Sequence, residues 1–303
     1  MTKIKYITIF PYFCKKICEI FKYQMSAISL NIKGRLLELN NPLVMGILNV
    51  TPDSFYQKSR KQTEQEIEER IIAILDEGGE IIDVGAYSSR PDAADVTEEE
   101  EMQRLIPVLT RLQKNYPDVI VSLDTFQAKI ARKAAEEYGV AIINDISGGS
   151  LDTDMFATIA QLQIPYILMH MRGTPQTMQQ FTTYNDIQED IMLYFAEKLQ
   201  ILQLMGVNDL IVDPGFGFSK TVEQNYELMR SLSEFSIFER PLLVGISRKT
   251  MIHKLLNITP DESLNGTTVL NTYALLNGAN ILRVHDVKAA IEAVKITNQL
   301  KNK

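Results

Sequence analysis

Asp213 closes the apolar run 210–212 and opens a turn in the stretch LIVDPGFGFSK. β-Branched side chains bounded by Pro214 and Gly215 fit a short strand buried on both faces, which places the carboxylate at the strand's C-terminal end. A carboxylate so placed accepts two parallel N–H bonds from a planar amidine or guanidine heterocycle. Phe216 and Phe218 project large rings from a loop, where a flat ligand would cover them. The plainer alternative makes Asp213 a turn cap and both phenylalanines core. Asp124, Asn144 and Lys249 also follow apolar runs, and with Asp213 they supply acceptors and donors for the edge of a polar ring. Met169 offers an adaptable apolar surface. Arg90, Arg283 and His285 form a second set suited to a phosphate-like anion, because arginine's fork matches its oxygens. Each residue alone has a structural alternative. Asp83 could support a loop, His285 or Asp286 could cap the last helix, and Lys249 could be a solvated charge at a helix start.

These side chains need elements that bring them to one place. Eight apolar runs, at 43–48, 80–84, 119–123, 141–143, 164–169, 210–212, 242–245 and 279–282, alternate with amphipathic helical patterns. The spacing predicts a (βα)8 TIM barrel, whose site lies at the C-terminal ends of its strands. An open doubly wound sheet is the alternative, but no run is followed by GxGxxG. Thr63 with Glu66, and Thr97 with Glu100, read as capping boxes opening two helices, the second with a kink expected at Pro107. Residues 27–39 alternate around Gly34 as a short β-hairpin that covers one end of the core.

The chain of 303 residues is 45% hydrophobic and carries a net charge of −7 with no Lys/Arg-rich run, which argues against nucleic acid and anionic membranes as partners. Cys14 and Cys18 are the two cysteines, and neither suggests a disulfide framework or a metal site. The expected compartment is reducing, namely the cytoplasm. Residues 1–24 mix lysines with an apolar run that is too short to span a bilayer and is interrupted by Pro11. They read as a dispensable extension ahead of one barrel domain, 25–303.

Taken together, MGILNVTPDSF, SSRP, SLDT, INDISGG, LMHMRGTPQTMQ, DPGFGFSK, GISRK and RVHDV resemble the motifs of the dihydropteroate synthases, the pterin-binding (βα)8 enzymes of folate biosynthesis. The resemblance runs from about Ile32 to the C-terminus. It implies Asp124, Asn144, Met169, Asp213 and Lys249 as pterin ligands, and Arg90, Arg283 and His285 as diphosphate ligands. It further implies Asn49 at a Mg²⁺ ion, and Ser89, Pro91, Gly217, Phe218, Lys249 and Thr250 around p-aminobenzoate. Lys249, Asp213, Arg283 and His285 are then the catalytic set, in a homodimer. Two loops depart from the family pattern: GAYSSRPD stands where GGESTRPG is common, and YQKSR follows Phe55.

The implied reaction condenses 7,8-dihydropterin-6-ylmethyl diphosphate with p-aminobenzoate, giving 7,8-dihydropteroate and diphosphate. Departure of diphosphate leaves positive charge on a methylene conjugated with the pterin, so leaving-group stabilisation matters more than a nucleophilic side chain. Two other readings stay open: a pterin-binding protein of the same fold without turnover, and a methyltetrahydrofolate-binding methyltransferase domain. The connections 49–62 and 85–96 are long for βα loops and are expected to order around the first ligand, so that p-aminobenzoate binds second.

Overall fold

A computed structural model describes residues 28–50, 60–87 and 96–301. The expectations on residues 1–24, on Ser89, Arg90 and Pro91, and on the greater part of the connections 49–62 and 85–96 lie outside them. Eight parallel strands form the barrel: β3 (Leu43–Asn49), β4 (Ile81–Gly85), β5 (Ile120–Asp124), β6 (Ile142–Asp145), β7 (Tyr166–Met169), β8 (Leu210–Asp213), β9 (Leu243–Val244) and β10 (Ile281–Val284). No boundary differs from the sequence expectation by more than two residues. The hydrogen-bonded order is β8-β7-β6-β5-β4-β3-β10-β9. A parallel bridge between Val212 and Leu242 brings β9 back to β8 and nearly closes the barrel.

Side-chain alternation sorts each strand between two environments. Val44, Ile82, Leu123, Ile143, Leu168, Val212, Val244 and Leu282 face outward, into the large apolar layer shared with the helices. Met45, Ile81, Ile142, Ile167, Ile211, Leu243 and Ile281 point into the barrel and fill its N-terminal half. Two residues further along the same inward rows stand Ile47, Asp83, Asn144, Met169, Asp213 and Arg283. A strand with period two therefore carries an apolar floor and a polar mouth on one face. The antiparallel hairpin β1 (Ser29–Ile32) and β2 (Arg35–Glu38) seals the bottom. Its Leu30 and Ile32 join the inward apolar cluster, and Asn31 N donates to Asp209 Oδ1 at 2.7 Å.

The outer ring comprises α1 (Arg60–Asp76), α2 (Glu98–Asn115), α3 (Ala128–Tyr138), α4 (Met155–Leu162), α5 (Ile187–Leu204), α6 (Val222–Arg230), α7 (Thr250–Leu256), α8 (Leu264–Leu276) and α9 (Val287–Lys301). Thr97 caps α2 as expected, accepting from Glu100 N at 3.2 Å, and the helix continues through Pro107. Thr63 does not cap α1. That helix already begins at Arg60, so the S/T-x-x-E pattern falls inside it.

Candidate active site

The turn after β8 builds one wall of the mouth. Asp213 Oδ1 accepts from Gly215 N at 2.8 Å, while Oδ2 accepts from no described residue. Gly215 has φ +70, and a Cβ there would lie 2.1 Å from His170 O, so the backbone must pass against the end of β7 without a side chain. A Cβ on Gly217 would meet Lys249 Cδ at 3.0 Å. The lysine stem thus lies along the turn, its Nζ donating to Phe216 O and standing 4.7 Å from the centre of the Phe218 ring. Phe216 is fully buried in the helix-facing core, which corrects the expectation that a ligand covers it. Phe218 packs with Met169, Met171, Met178 and Ile146, so the protein itself covers most of that ring.

The opposite wall centres on Arg283. Its Nε donates to Asp83 Oδ2 at 2.6 Å and its Nη2 to Asp124 Oδ2 at 2.7 Å. Asn144 Nδ2 donates to the same Asp83 oxygen at 3.0 Å. Burial raises the Asp124 carboxyl to about 7, against the pull of Arg283 and with Asp83 adding to the rise. Burial also raises Asp213, opposed by Lys249 and the Gly215 N–H. Burial lowers the Lys249 ammonium to about 8, with Asp213 resisting. For Arg283 burial acts downward, but Asp83 and Asp124 outweigh it and hold the guanidinium charged.

At the rim His285 N donates to Ser247 Oγ at 3.2 Å, and Arg70 Nη2 donates to His285 O at 2.7 Å. Burial, then Arg283, Arg70 and Arg248, lower the imidazole to about 4. It is a neutral ring in a cationic pocket, which an anion would relieve. Arg248 itself is held by Asp286 through two bonds of 3.0 and 2.6 Å. Asn49 ends β3, exposed, and its Oδ1 lies 3.6 Å from where a Gly85 Cβ would stand, with Asp124 Oδ2 at 3.7 Å from the same point. Thr250 is exposed at the first residue of α7.

The structure therefore gathers Asp124, Asn144, Met169, Asp213, Lys249 and Arg283 at the mouth, with Asn49 and His285 on its edge. His170 is not among them: it is buried, between Tyr184 and Tyr194. Asp83, read from the sequence as a strand-end polar residue without a ligand role, is buried inside the mouth, two positions after Ile81. One buried residue, Lys220, was not read from the sequence, which carries no signal for it. Its Nζ lies 3.1 Å from His170 Nδ1 and donates to Gly215 O at 2.9 Å and Phe218 O at 3.0 Å, fastening the turn from below. Burial depresses this amine well below the usual lysine range, despite Asp213 nearby.

The family described as pterin binding enzyme matches residues 45–285. The Escherichia coli K12 dihydropteroate synthase is 41% identical over 266 residues, covering 87% of this chain and 93% of that one. The Synechocystis enzyme of the same name is 40% identical over 260 residues, 85% and 89% of the two chains. Among solved structures, a Yersinia pestis dihydropteroate synthase in complex with a sulfonamide drug superposes with TM-score 0.83 at 39% identity, covering 90% of this chain and 99% of that one. A Xanthomonas albilineans dihydropteroate synthase with 4-aminobenzoic acid gives TM-score 0.83 at 32% identity over 92% of this chain and 100% of that one. With this likeness spanning nearly the whole barrel and its mouth, the chain belongs to the pterin-binding enzymes, in the dihydropteroate synthase family.

Proposed function

We propose that this chain is a transferase of folate biosynthesis that joins p-aminobenzoate to 7,8-dihydropterin-6-ylmethyl diphosphate, releasing diphosphate and forming 7,8-dihydropteroate. The observation that carries the reading is the meeting, in one mouth, of an acceptor set for a heterocycle edge with a cationic set for an anion. Asp213 Oδ2 is free to accept ring N–H groups, as the carboxylate of an amidine-like pair would. Asn144 and Asp124 face it from β6 and β5, and Met169 supplies apolar surface beneath.

Catalysis in this site is stabilisation of separating charge. Arg283 and His285, with Arg90 carried over from the family resemblance, hold the departing diphosphate. The neutral His285 gains a proton most readily when that anion arrives, since its cationic neighbours are then offset. The ionised Asp213 and Asp124 lie on the side of the positive charge that develops through the pterin. The arylamine then forms the C–N bond, and its proton leaves once that bond has acidified it, so no strong base is needed. Gly217, Phe218, Lys249 and Thr250 are the described residues of the p-aminobenzoate pocket in this reading; Ser89 and Pro91 are carried over from the family resemblance.

Mg²⁺ fits the site in one way. Among the described residues no cluster of three His, Cys, Asp or Glu side chains could hold a metal unaided. A single exposed Asn49 amide suits a Mg²⁺ that keeps its waters and is bound mainly by diphosphate oxygens. Asn49 would hold it, and the ion would supply charge neutralisation on the leaving group.

The second partner is another copy of the chain. α8 packs against α7 and α9. It leaves Val269, Tyr273 and Leu276 exposed, beside Leu255 and Leu256 of α7 and Ile296 and Leu300 of α9. An apolar face of this kind marks an interaction surface, and a homodimer would cover it. Among the described residues no helix is long and apolar enough to cross a membrane. A cytoplasmic location is the setting this reading expects.

The reading is tested by incubating the protein with the pterin diphosphate, p-aminobenzoate and Mg²⁺ and identifying the product by mass. Dihydropteroate that forms only when both substrates are present supports it. Binding of the pterin with no product refutes it.

A further inference from the structure

Asp83 has no place in the chemistry above, yet it is fully enclosed at the barrel mouth, with 0% exposure. Its two oxygens are used unequally. Oδ2 accepts from both Arg283 Nε at 2.6 Å and Asn144 Nδ2 at 3.0 Å, whereas Oδ1 is buried with no hydrogen-bond partner among the described residues. A buried acceptor left unmade is costly and calls for an explanation.

The arginine shows the complementary irregularity. A guanidinium meeting a carboxylate side-on normally gives Nε and Nη2 to the two oxygens of one group. Here the fork is split, with Nε on Asp83 and Nη2 on Asp124 Oδ2 at 2.7 Å, while Nη1 donates to no described residue. Asp124 is also a ligand of the pterin edge in the function proposed above. A pterin N–H that takes Asp124 Oδ2 competes with Nη2 for that oxygen, and the unfilled acceptor on the same arginine's other partner is Asp83 Oδ1.

We propose that Asp83 is the positioning residue for Arg283: when the pterin takes Asp124, Nη2 passes to Asp83 Oδ1, and the guanidinium, now held by one carboxylate, presents Nη1 to the diphosphate. This rests on the assignment of Asp124 to the pterin and Arg283 to the leaving group. The same carboxylate keeps Asn144 aligned through Oδ2, so one buried group serves both halves of the substrate. Because the exchange couples the two subsites, pterin and anion each strengthen binding of the other, and by the same factor. An asparagine at this position cannot replace the aspartate. Its one acceptor oxygen can keep Arg283 Nε and Asn144 on a shared atom, but after the exchange its amide would face Nη2 donor to donor.

The test is titration of inorganic pyrophosphate, at fixed Mg²⁺, with and without 6-hydroxymethylpterin. In the unaltered protein the pterin should tighten pyrophosphate binding at least about tenfold (~1.4 kcal/mol). In Asp83→Asn that ratio should fall below about threefold. A merely structural role would weaken each ligand alone and leave the ratio intact, and a ratio that stays near tenfold in Asp83→Asn overturns the proposal. A crystal structure of the unaltered protein with the pterin gives a reading that does not depend on the variant folding: Nη2 on Asp83 supports the exchange, and Nη2 still on Asp124 contradicts it. Arg283→Met separates the premise, because unchanged pyrophosphate affinity there removes Arg283 from the leaving group and with it the site assignment itself.

Discussion

Asp213→Asn isolates the bond on which the proposed pterin recognition turns. The variant keeps Oδ1 as acceptor for Gly215 N, 2.8 Å away, so the amide NH2 takes the place of Oδ2 and faces the ring. A charge-assisted pair becomes a donor against a donor. Loss of one hydrogen bond to a charged group is worth about 1.5–3 kcal/mol, and the opposed donors put the effect at the upper end. About 3 kcal/mol corresponds to a loss of about 150-fold in pterin affinity. Stability should move the other way. Burial holds the folded-state pKa of Asp213 above its unfolded value, so at neutral pH the ionised carboxylate costs the folded state stability that asparagine does not. Calorimetric titration of a pterin together with a melting curve reads both. A loss below tenfold, or a Tm that falls along with affinity, would refute the assignment of Asp213 as the ring's acceptor.

The acid limb of kcat/KM should follow Asp124, near 7, because the protonated carboxyl no longer offers a charged acceptor to the ring edge; the alkaline limb should follow Lys249, near 8, as its ammonium is lost with rising pH. Asp124→Asn should erase the acid limb, and a profile flat from 6 to 9 in the unaltered protein would contradict both. With three histidines in the chain, the His285 ring should be resolvable by NMR, and its pKa should climb from about 4 when pyrophosphate binds; no movement would exclude contact with the anion. Lys249→Ala should cost more than about tenfold in kcat/KM, because it removes a group that the proposed function gives to both the pterin and p-aminobenzoate and also the donor to Phe216 O. Val269→Glu with Leu276→Glu should convert a dimer to a monomer in sedimentation, while an unchanged mass would place the subunit contact elsewhere. Removing residues 1–24 should leave Tm and turnover as they are, and an insoluble product would show that they belong to the barrel domain.

Most of the barrel could be read from the residues because a parallel barrel strand is covered on both faces, so strands such as 43–48 and 210–212 stand out as apolar runs ended by a polar residue. The mouth was legible for the same reason: Asp124, Asn144 and Asp213 each end a run. Asp83 was read as a polar strand-end residue too, but its part in holding Arg283 and Asn144 depends on side chains from β10 and β6 that no local pattern reveals. Lys220 carried no signal, because a lysine in a glycine turn ordinarily faces water, and its burial depends on Gly215 O, Phe218 O and His170 converging from two loops. For Phe216 the plainer of the two readings holds: the loop folds back and delivers that ring to the helix-facing core. Thr63 shows how local a capping pattern is, because α1 had started three residues earlier.

The central claim is that this mouth separates diphosphate from a pterin and hands the cation to an arylamine. Diphosphate release, followed with saturating pterin diphosphate and Mg²⁺ in the presence and absence of p-aminobenzoate, measures it directly. The account predicts steady release that requires p-aminobenzoate and matches dihydropteroate one for one; pterin binding with no release in the presence of p-aminobenzoate would contradict it.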